Sequence, residues 1–244
     1  MADRRPKIRL FVEASLSQGA ELRLTDQAHY LVNVMRQGVG DVFTCFNGRD
    51  GAWTAEVAQA GKRQVVATCL EQTEAQRTPP DLWLLFAPIK KARTDFIVEK
   101  AAELGVARVQ PVLTRFTNAE RVRTDRLRAH AIEAAEQCGE TWVPDVVDPG
   151  RLDALLDDWP DDRLLIFCDE ARSAPPMARA LRGRQDGRHA ILIGPEGGFS
   201  PDEAQRLHGM PGVLPVSLGP RVLRADTAAV AALAVWQSTL GDWQ

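Results

Sequence analysis

The sequence predicts an α/β protein in two parts, a small β-rich unit followed by a larger domain on a mainly parallel sheet. Three observations carry this. Up to about residue 72, short apolar runs alternate with turn signals; residues 71–80 are polar and end in Pro79-Pro80; beyond them strand-type runs alternate with helical stretches. Alternation of strands and helices means crossovers, which place helices on both faces of a parallel sheet. The expected division is residues 1–72, a linker at 73–80 and a second domain at 81–244. With 244 residues, of which 45% are hydrophobic, the chain has ample material for these cores.

In the first part, residues 7–13 alternate apolar and charged side chains in part, and 64–70 form an apolar run. The runs 41–46 and 52–57 flank Asn47-Gly48-Arg49-Asp50-Gly51, a hairpin signal, because Asn-Gly supplies the left-handed backbone of a tight turn. Thr25 is placed to cap a helix that carries Tyr30, Leu31, Val34 and Met35 toward a core. His29 reads as a surface or boundary residue. In the second part, strands are expected at 81–87, 107–113, 163–168, 189–193 and 213–216. Helices are expected at 94–104, 124–138, 151–156, 173–182, 201–207 and 227–240. Thr94 and Thr124 stand where N-caps belong, and Gly105 and Gly139 where helices end. Lys100 is spaced to pair with Glu103.

The start of the chain is charged, and no apolar run approaches the roughly 18 residues of a membrane span, so a soluble, cytoplasmic protein with no membrane partner is expected. Cys45, Cys69, Cys138 and Cys168 lack C-x-x-C spacing and the histidines lie far apart, which predicts reduced, mostly core cysteines and no metal site. The net charge of −3 conceals a segregation: residues 88–128 hold ten Lys/Arg against five Asp/Glu, and residues 129–171 hold two against twelve. Such blocks are either one phosphate-attracting face beside one that is not, or two ordinary solvated faces.

Two stretches carry the functional signal. The run 190–193 ends in Gly194-Pro195-Glu196-Gly197-Gly198-Phe199, then meets a helix start with Ser200 as N-cap, Pro201 at the first helical position and Glu203 closing a capping box. Gly194, Gly197 and Gly198 let backbone approach a flat ligand and present amide N–H groups; alone, the same loop is also what a tight βα turn needs. The run 213–216 ends in Ser217-Leu218-Gly219-Pro220 and leads through Arg221-Val222-Leu223-Arg224-Ala225-Asp226-Thr227 into an Ala-rich helix. Two neighbouring Gly loops make a slot. No G-x-x-x-x-G-K-[ST] occurs and the Gly loop is not G-x-G-x-x-G, which argues against nucleotide-phosphate and dinucleotide sites. Lys90, Lys91 and Arg93 follow the first strand of this domain in a loop, where three cations suit phosphate contacts. The helix at 227–240 is apolar on nearly all sides and is expected to be buried, in the domain core or against a second subunit.

The wording of residues 194–203 together with 217–228 resembles the SPOUT superfamily of RNA methyltransferases, and within it the family that methylates N3 of a uridine in 16S ribosomal RNA. Residues 87–93, 99–106 and 133–139 extend the resemblance over most of the chain; after Glu136-Gln137-Cys138-Gly139, where that family usually has a basic residue, this chain has Glu140. The resemblance implies a PUA-like β-barrel for the first part, with Arg9 and Arg36 toward RNA. For the second it implies a SPOUT domain with a C-terminal trefoil knot, and an S-adenosylmethionine pocket lined by Ile193, Gly194, Gly197, Gly198, Leu218, Gly219 and Leu223. A homodimer acting on 16S RNA, within the small ribosomal subunit, is also implied. For such chemistry Arg224, with Arg221 second, is the candidate to hold the carbonyl oxygens as the uracil turns anionic. The alternative for Arg224 is a salt bridge with Asp226 or Glu196. Glu196 is either the general base or a tie for its own loop. Another SPOUT RNA methyltransferase, or an RNA-binding assembly factor without catalysis, would share much of this pattern.

Overall fold

The computed structural model describes residues 6, 8–118, 121–171, 173–184 and 187–243; Lys7, within the first expected strand, lies outside them. The chain divides into two units, Met1–Thr78 with Ala135–Val143, and Pro79–Ala134 with Pro144–Gln244.

The first unit is a five-stranded sheet of β1 (Arg9–Phe11), β2 (Glu21–Leu24), β3 (Val42–Phe46), β4 (Ala52–Ala60) and β5 (Val65–Glu74), in the order β1-β3-β4-β5-β2. β1 is parallel to β3 and the other pairs are antiparallel. All five strands feed one core, through Leu10, Leu22, Phe43, Ala55 and Val65 among others. The hairpin turn forms as its residues predict: the Asn47 side-chain oxygen accepts the N–H groups of Arg49 and Asp50 at 3.1 and 2.9 Å, and Gly48 has φ 82. The expected helix after Thr25 is instead a π-helical turn, Tyr30–Val34, with only Leu31 buried; Tyr30, Val34 and Met35 are exposed. The Met35 N–H closes on the Tyr30 carbonyl at 2.9 Å and Arg36 turns left-handed at φ 56, so the turn ends before it can present a helical face. β5 runs on through Thr73 and Glu74, the first residues of the expected linker, because Glu74 still pairs with Ala52. Residues 135–143 join this unit through packing: Ala135 and Val143 lie against Phe46 and Ala52, and the Phe11 N–H donates to Glu136 Oε1 at 2.8 Å.

The second unit is a parallel sheet of β6 (Leu82–Phe86), β7 (Arg108–Leu113), β8 (Asp145–Val146), β9 (Gly150–Arg151), β10 (Arg163–Cys168), β11 (Arg188–Ile193) and β12 (Val213–Val216). Its order is β12-β10-β11-β6-β7-β8, with β9 on β7. The five longer strands are those the apolar runs predict; β8 and β9 are too short to announce themselves. The helices are α1 (Lys91–Glu103), α2 (Thr124–Cys138), α3 (Leu152–Asp157), α4 (Met177–Leu181), α5 (Pro201–Gly209) and α6 (Ala225–Leu240). Thr94 is not an N-cap. It lies within α1, buried, with its hydroxyl bonded to the N–H and C=O of Ile89 at 3.0 Å, and Lys90 takes the cap position. Thr124 likewise is the first residue of α2, its hydroxyl on Asp148. α4 is only five residues long because Pro175 and Pro176 hold the chain ahead of it extended. α6 buries one face, through Ala229, Ala232, Leu233 and Trp236, rather than all sides. Lys100 pairs with Glu103 at 2.5 Å, as its spacing predicts.

At the N-terminal ends of β6, β10 and β11, the Arg163 side chain is 0% exposed, bonded to both carboxylate oxygens of Asp81 at 2.8 and 3.0 Å and to the carbonyls of Asp81 and His189. Its guanidinium lies 3.6 Å from the centroid of the Trp83 ring. Burial raises the Asp81 carboxyl, but hydrogen bonds and charge from Arg163 and Arg188 outweigh it and hold the group below the ordinary carboxylate range. This clamp fixes one end of three neighbouring strands. The loops at their other end, and at that of β12, carry the site.

Candidate cofactor and RNA site

β11, β10 and β12 are adjacent and parallel, so the loops that follow them leave from the same edge of the sheet and surround one cavity. Ile193, Gly194, Glu196 and Gly198 come from the loop after β11, and Leu218, Gly219, Arg221 and Leu223 from the loop after β12. A third loop, Cys168-Asp169-Glu170 after β10, completes the wall. Sequence reasoning missed it, since two acids after a strand signal nothing until β10 is known to lie between β11 and β12.

The Gly loop is held by the interactions its sequence encodes. The Ser200 hydroxyl accepts the Glu203 N–H at 3.3 Å, and Glu203 Oε2 accepts the Ser200 N–H at 2.9 Å, a closed capping box. The other oxygen of Glu203 accepts the Arg115 N–H at 2.8 Å and ties the loop after β7 to the same helix start. Gly198 has φ 71, and Glu170 Oε1 accepts the next N–H, that of Phe199, at 3.0 Å. A Cβ on Gly198 would sit 2.0 Å from that oxygen. Gly194 makes room for the Phe199 ring, 2.6 Å from where its Cβ would be. Gly197 does not line the cavity. Its φ lies outside the left-handed region, and a Cβ there would stand 3.4 Å from the Phe116 Cβ. Gly219, at φ 113, borders open space.

Apolar side chains of Ile193, Leu218, Leu223, Ala225 and Ala228 form most of the wall, with the carboxylates of Asp169 and Glu170 in one stretch of it. Asp169 is buried, 3.3 Å from His208 Nε2. Burial pushes the Cys168 thiol up to about 12, so it is a neutral wall group and not a thiolate nucleophile. Such a cavity suits a flat, largely apolar ligand that carries positive charge.

The predicted polar residues fall into three groups. Arg221 lines the cavity, while Arg224 occupies the N-cap position of α6 between Leu223 and Ala225, both of which line it. Arg224 is exposed and makes no ion pair among the described residues. The carboxylates expected to compete for it are taken by Arg93, which lies 3.0 Å from Glu196 and 3.6 Å from Asp226. Arg93 is therefore a bridge from α1 to the Gly loop and α6, not a loose phosphate contact. Glu196 is 52% exposed and ties to that arginine instead of to its own backbone. Lys90 and Lys91 open α1 and border a groove shared with Arg121, Arg123 and Arg126, three cations that sequence reasoning did not single out. In the first unit Arg36 is exposed, but the Arg9 side chain is 14% exposed, bound to Glu74 and the Glu140 carbonyl and lying over the Phe46 ring. Arg9 is thus engaged within its own unit. The Glu140 carboxylate faces Arg77 at 3.8 Å. No group of His, Cys, Asp and Glu among the described residues is arranged to hold a metal ion.

The chain matches the RNA methyltransferase domain family over residues 76–237 and the RNA methyltransferase PUA domain family over residues 24–69. It is 29% identical over 231 residues to ribosomal RNA small subunit methyltransferase E of Rickettsia conorii, covering 93% of each chain. To the protein of that name from Synechocystis it is 32% identical over 216 residues, 86% of this chain and 70% of the other. Among solved structures, a methyltransferase from Legionella pneumophila in complex with S-adenosylmethionine superposes with a TM-score of 0.87 at 32% identity, covering 98% of this chain and 99% of that one. Small subunit methyltransferase E from Neisseria gonorrhoeae, bound to S-adenosylmethionine, gives 0.83 at 30% identity, covering 97% and 99%.

Proposed function

The chain belongs to the RNA methyltransferase family, and from that premise we propose that it transfers a methyl group from S-adenosylmethionine to N3 of a uridine in 16S RNA of the small ribosomal subunit. The observation that carries this reading is the cavity walled by the three loops after β10, β11 and β12. Ile193, Leu218, Leu223, Ala225 and Ala228 would hold the adenosine, and the neighbouring Asp169 and Glu170 would face the cationic portion of the cofactor. When bound, the cofactor supplies an electrophilic methyl group on a sulfonium.

The chain's own residues then act on the acceptor. N3 of uracil must lose a proton, and the charge spreads onto the two flanking carbonyl oxygens. Arg224, without a carboxylate partner among the described residues, supplies a guanidinium for one of them, and Arg221 at the cavity wall supplies a second. Glu196 is the base, held in place by Arg93. Lys90 and Lys91 contact phosphates, and the PUA domain holds flanking RNA through Arg36. A second copy of the chain covers Val230, Ala231, Ala234 and Val235, apolar residues of α6 that are only half-buried in a single copy. The strand order β12-β10-β11-β6 fits a C-terminal trefoil knot. Among the described residues no helix is long and apolar enough to cross a membrane.

Mass spectrometry of nucleosides from small subunits incubated with the protein and cofactor tests the reading. The expected product is 3-methyluridine. A ribose-methylated nucleoside would indicate a different reaction on the same scaffold, and no methylated product would leave an RNA-binding factor.

A further inference from the structure

Phe116 is a large aromatic residue, 46% exposed, on the loop after β7. A phenyl ring left in water costs hydrophobic free energy, and here it is fixed in place from two directions. The N–H of its neighbour Arg115 is bound by Glu203, the residue that caps α5. The Phe116 Cβ lies 3.4 Å from where a Cβ on Gly197 would stand, an ordinary contact distance, so the aromatic residue rests close to the Gly loop. Glu196 and Gly198, on either side of Gly197, both line the cofactor cavity. The ring therefore stands beside that cavity.

Asn118, two residues on from Phe116, belongs to a basic groove. Asn118 and Arg121 line it together with Lys90 and Lys91, and of its cations Arg126 is paired with Asp95 and Arg123 with Asp125. Lys90, Lys91 and Arg121 have no carboxylate partner among the described residues. A groove with three unpaired cations, near an exposed aromatic, is the combination that holds single-stranded nucleic acid, the phosphates by charge and a base by stacking.

We propose that Phe116 is the platform on which the target uracil stacks when it leaves its RNA context to meet the cofactor, with Lys90, Lys91 and Arg121 holding the phosphates that flank it. The assignment rests on the methyltransferase reading above. It gives a function to a phenyl ring that has no apolar cover.

The test is single-turnover methylation of small subunits that carry unmodified 16S RNA, with the wild type and the Phe116→Tyr, Phe116→Leu and Phe116→Ala variants. S-adenosylmethionine affinity is measured for each by calorimetry. Stacking on one aromatic face is worth about 5- to 150-fold when it is removed. Phe116→Tyr keeps the face and should react within about twofold of the wild type, while Phe116→Leu, which retains apolar bulk, and Phe116→Ala should each lose at least about fivefold in kcat/KM for RNA at unchanged cofactor affinity. Full activity of Phe116→Leu beside an active wild type would overturn the platform and leave the methyltransferase reading standing. An inactive wild type would overturn both.

Discussion

Alanine at position 198 is the most demanding probe of the cofactor loop. Gly198 has φ 71, and an L-residue held in the left-handed region costs about 1–2 kcal/mol. Its new Cβ would lie 2.0 Å from Glu170 Oε1, so the carboxylate must leave the Phe199 N–H that it now accepts at 3.0 Å. A hydrogen bond to a charged group is worth about 1.5–3 kcal/mol, and the lower end applies because Glu170 is exposed. The strain can relax in the free protein by shifting the loop, since the strand before it and the capped helix after it are held independently. It must be restored when cofactor binds. Gly198→Ala should therefore weaken S-adenosylmethionine binding by about 2–4 kcal/mol, roughly 30- to 900-fold in calorimetric titration. The melting temperature should fall by no more than about 4 °C. In the Glu170→Ala background the steric part of the effect vanishes, so the double variant should bind more tightly than the two single losses predict. Wild-type affinity in folded Gly198→Ala would refute the assignment of this loop to the cofactor.

Three other outcomes follow from the same structure. Arg224→Ala should lower the single-turnover rate at saturating RNA by about 10²–10³ with cofactor affinity little changed, and Arg224→Lys should recover only part of it, because a point charge cannot reproduce the planar fork. Replacing Lys90 or Arg121 by Gln should weaken RNA binding and flatten its salt dependence by about one ion per site, while sparing the rate at saturation. Asp81→Asn should cost about 2–3 kcal/mol, less than a fully buried pair because Asp81 is 45% exposed, and lower the melting temperature by about 4–12 °C. Because the Asp81 carboxyl is held below its ordinary value in the folded state, the pair contributes fully above the ordinary carboxylate range. That contribution is lost as pH falls through the lowered value, so melts recorded against pH should show a shallower acid limb in Asp81→Asn than in the wild type.

What the sequence disclosed, it disclosed through local chemistry. Ser200, Pro201 and Glu203 encode a helix start by hydrogen bonds three residues apart, and the structure closes the capping box they promise. The Asn47-Gly48 turn and the five long strands of the second unit are of the same kind. What it did not disclose is nonlocal. Arg9 reads as a surface cation because nothing near it in sequence shows that Glu74, Phe46 and the Glu140 carbonyl converge on it. Arg93 has the composition of a phosphate contact until Glu196 and Asp226 arrive from far along the chain. Three glycines share one loop, and only the folded chain tells that Gly198 needs φ > 0 while Gly194 makes space for Phe199. The polar stretch before Pro79-Pro80 suggested that the first unit ends near residue 72, but residues 135–143 also pack into it through Ala135, Glu136 and Val143.

N3 lies on the Watson–Crick edge of uracil, so a methyl group there blocks base pairing and stops a reverse transcriptase, whereas a ribose methyl leaves the edge free. Primer extension along 16S RNA from small subunits treated with the protein and S-adenosylmethionine reads this directly. A single new stop at one uridine is predicted, dependent on cofactor and absent with Leu223→Trp, whose side chain would fill the cavity. No new stop, or the same stop with the filled cavity, would contradict the account.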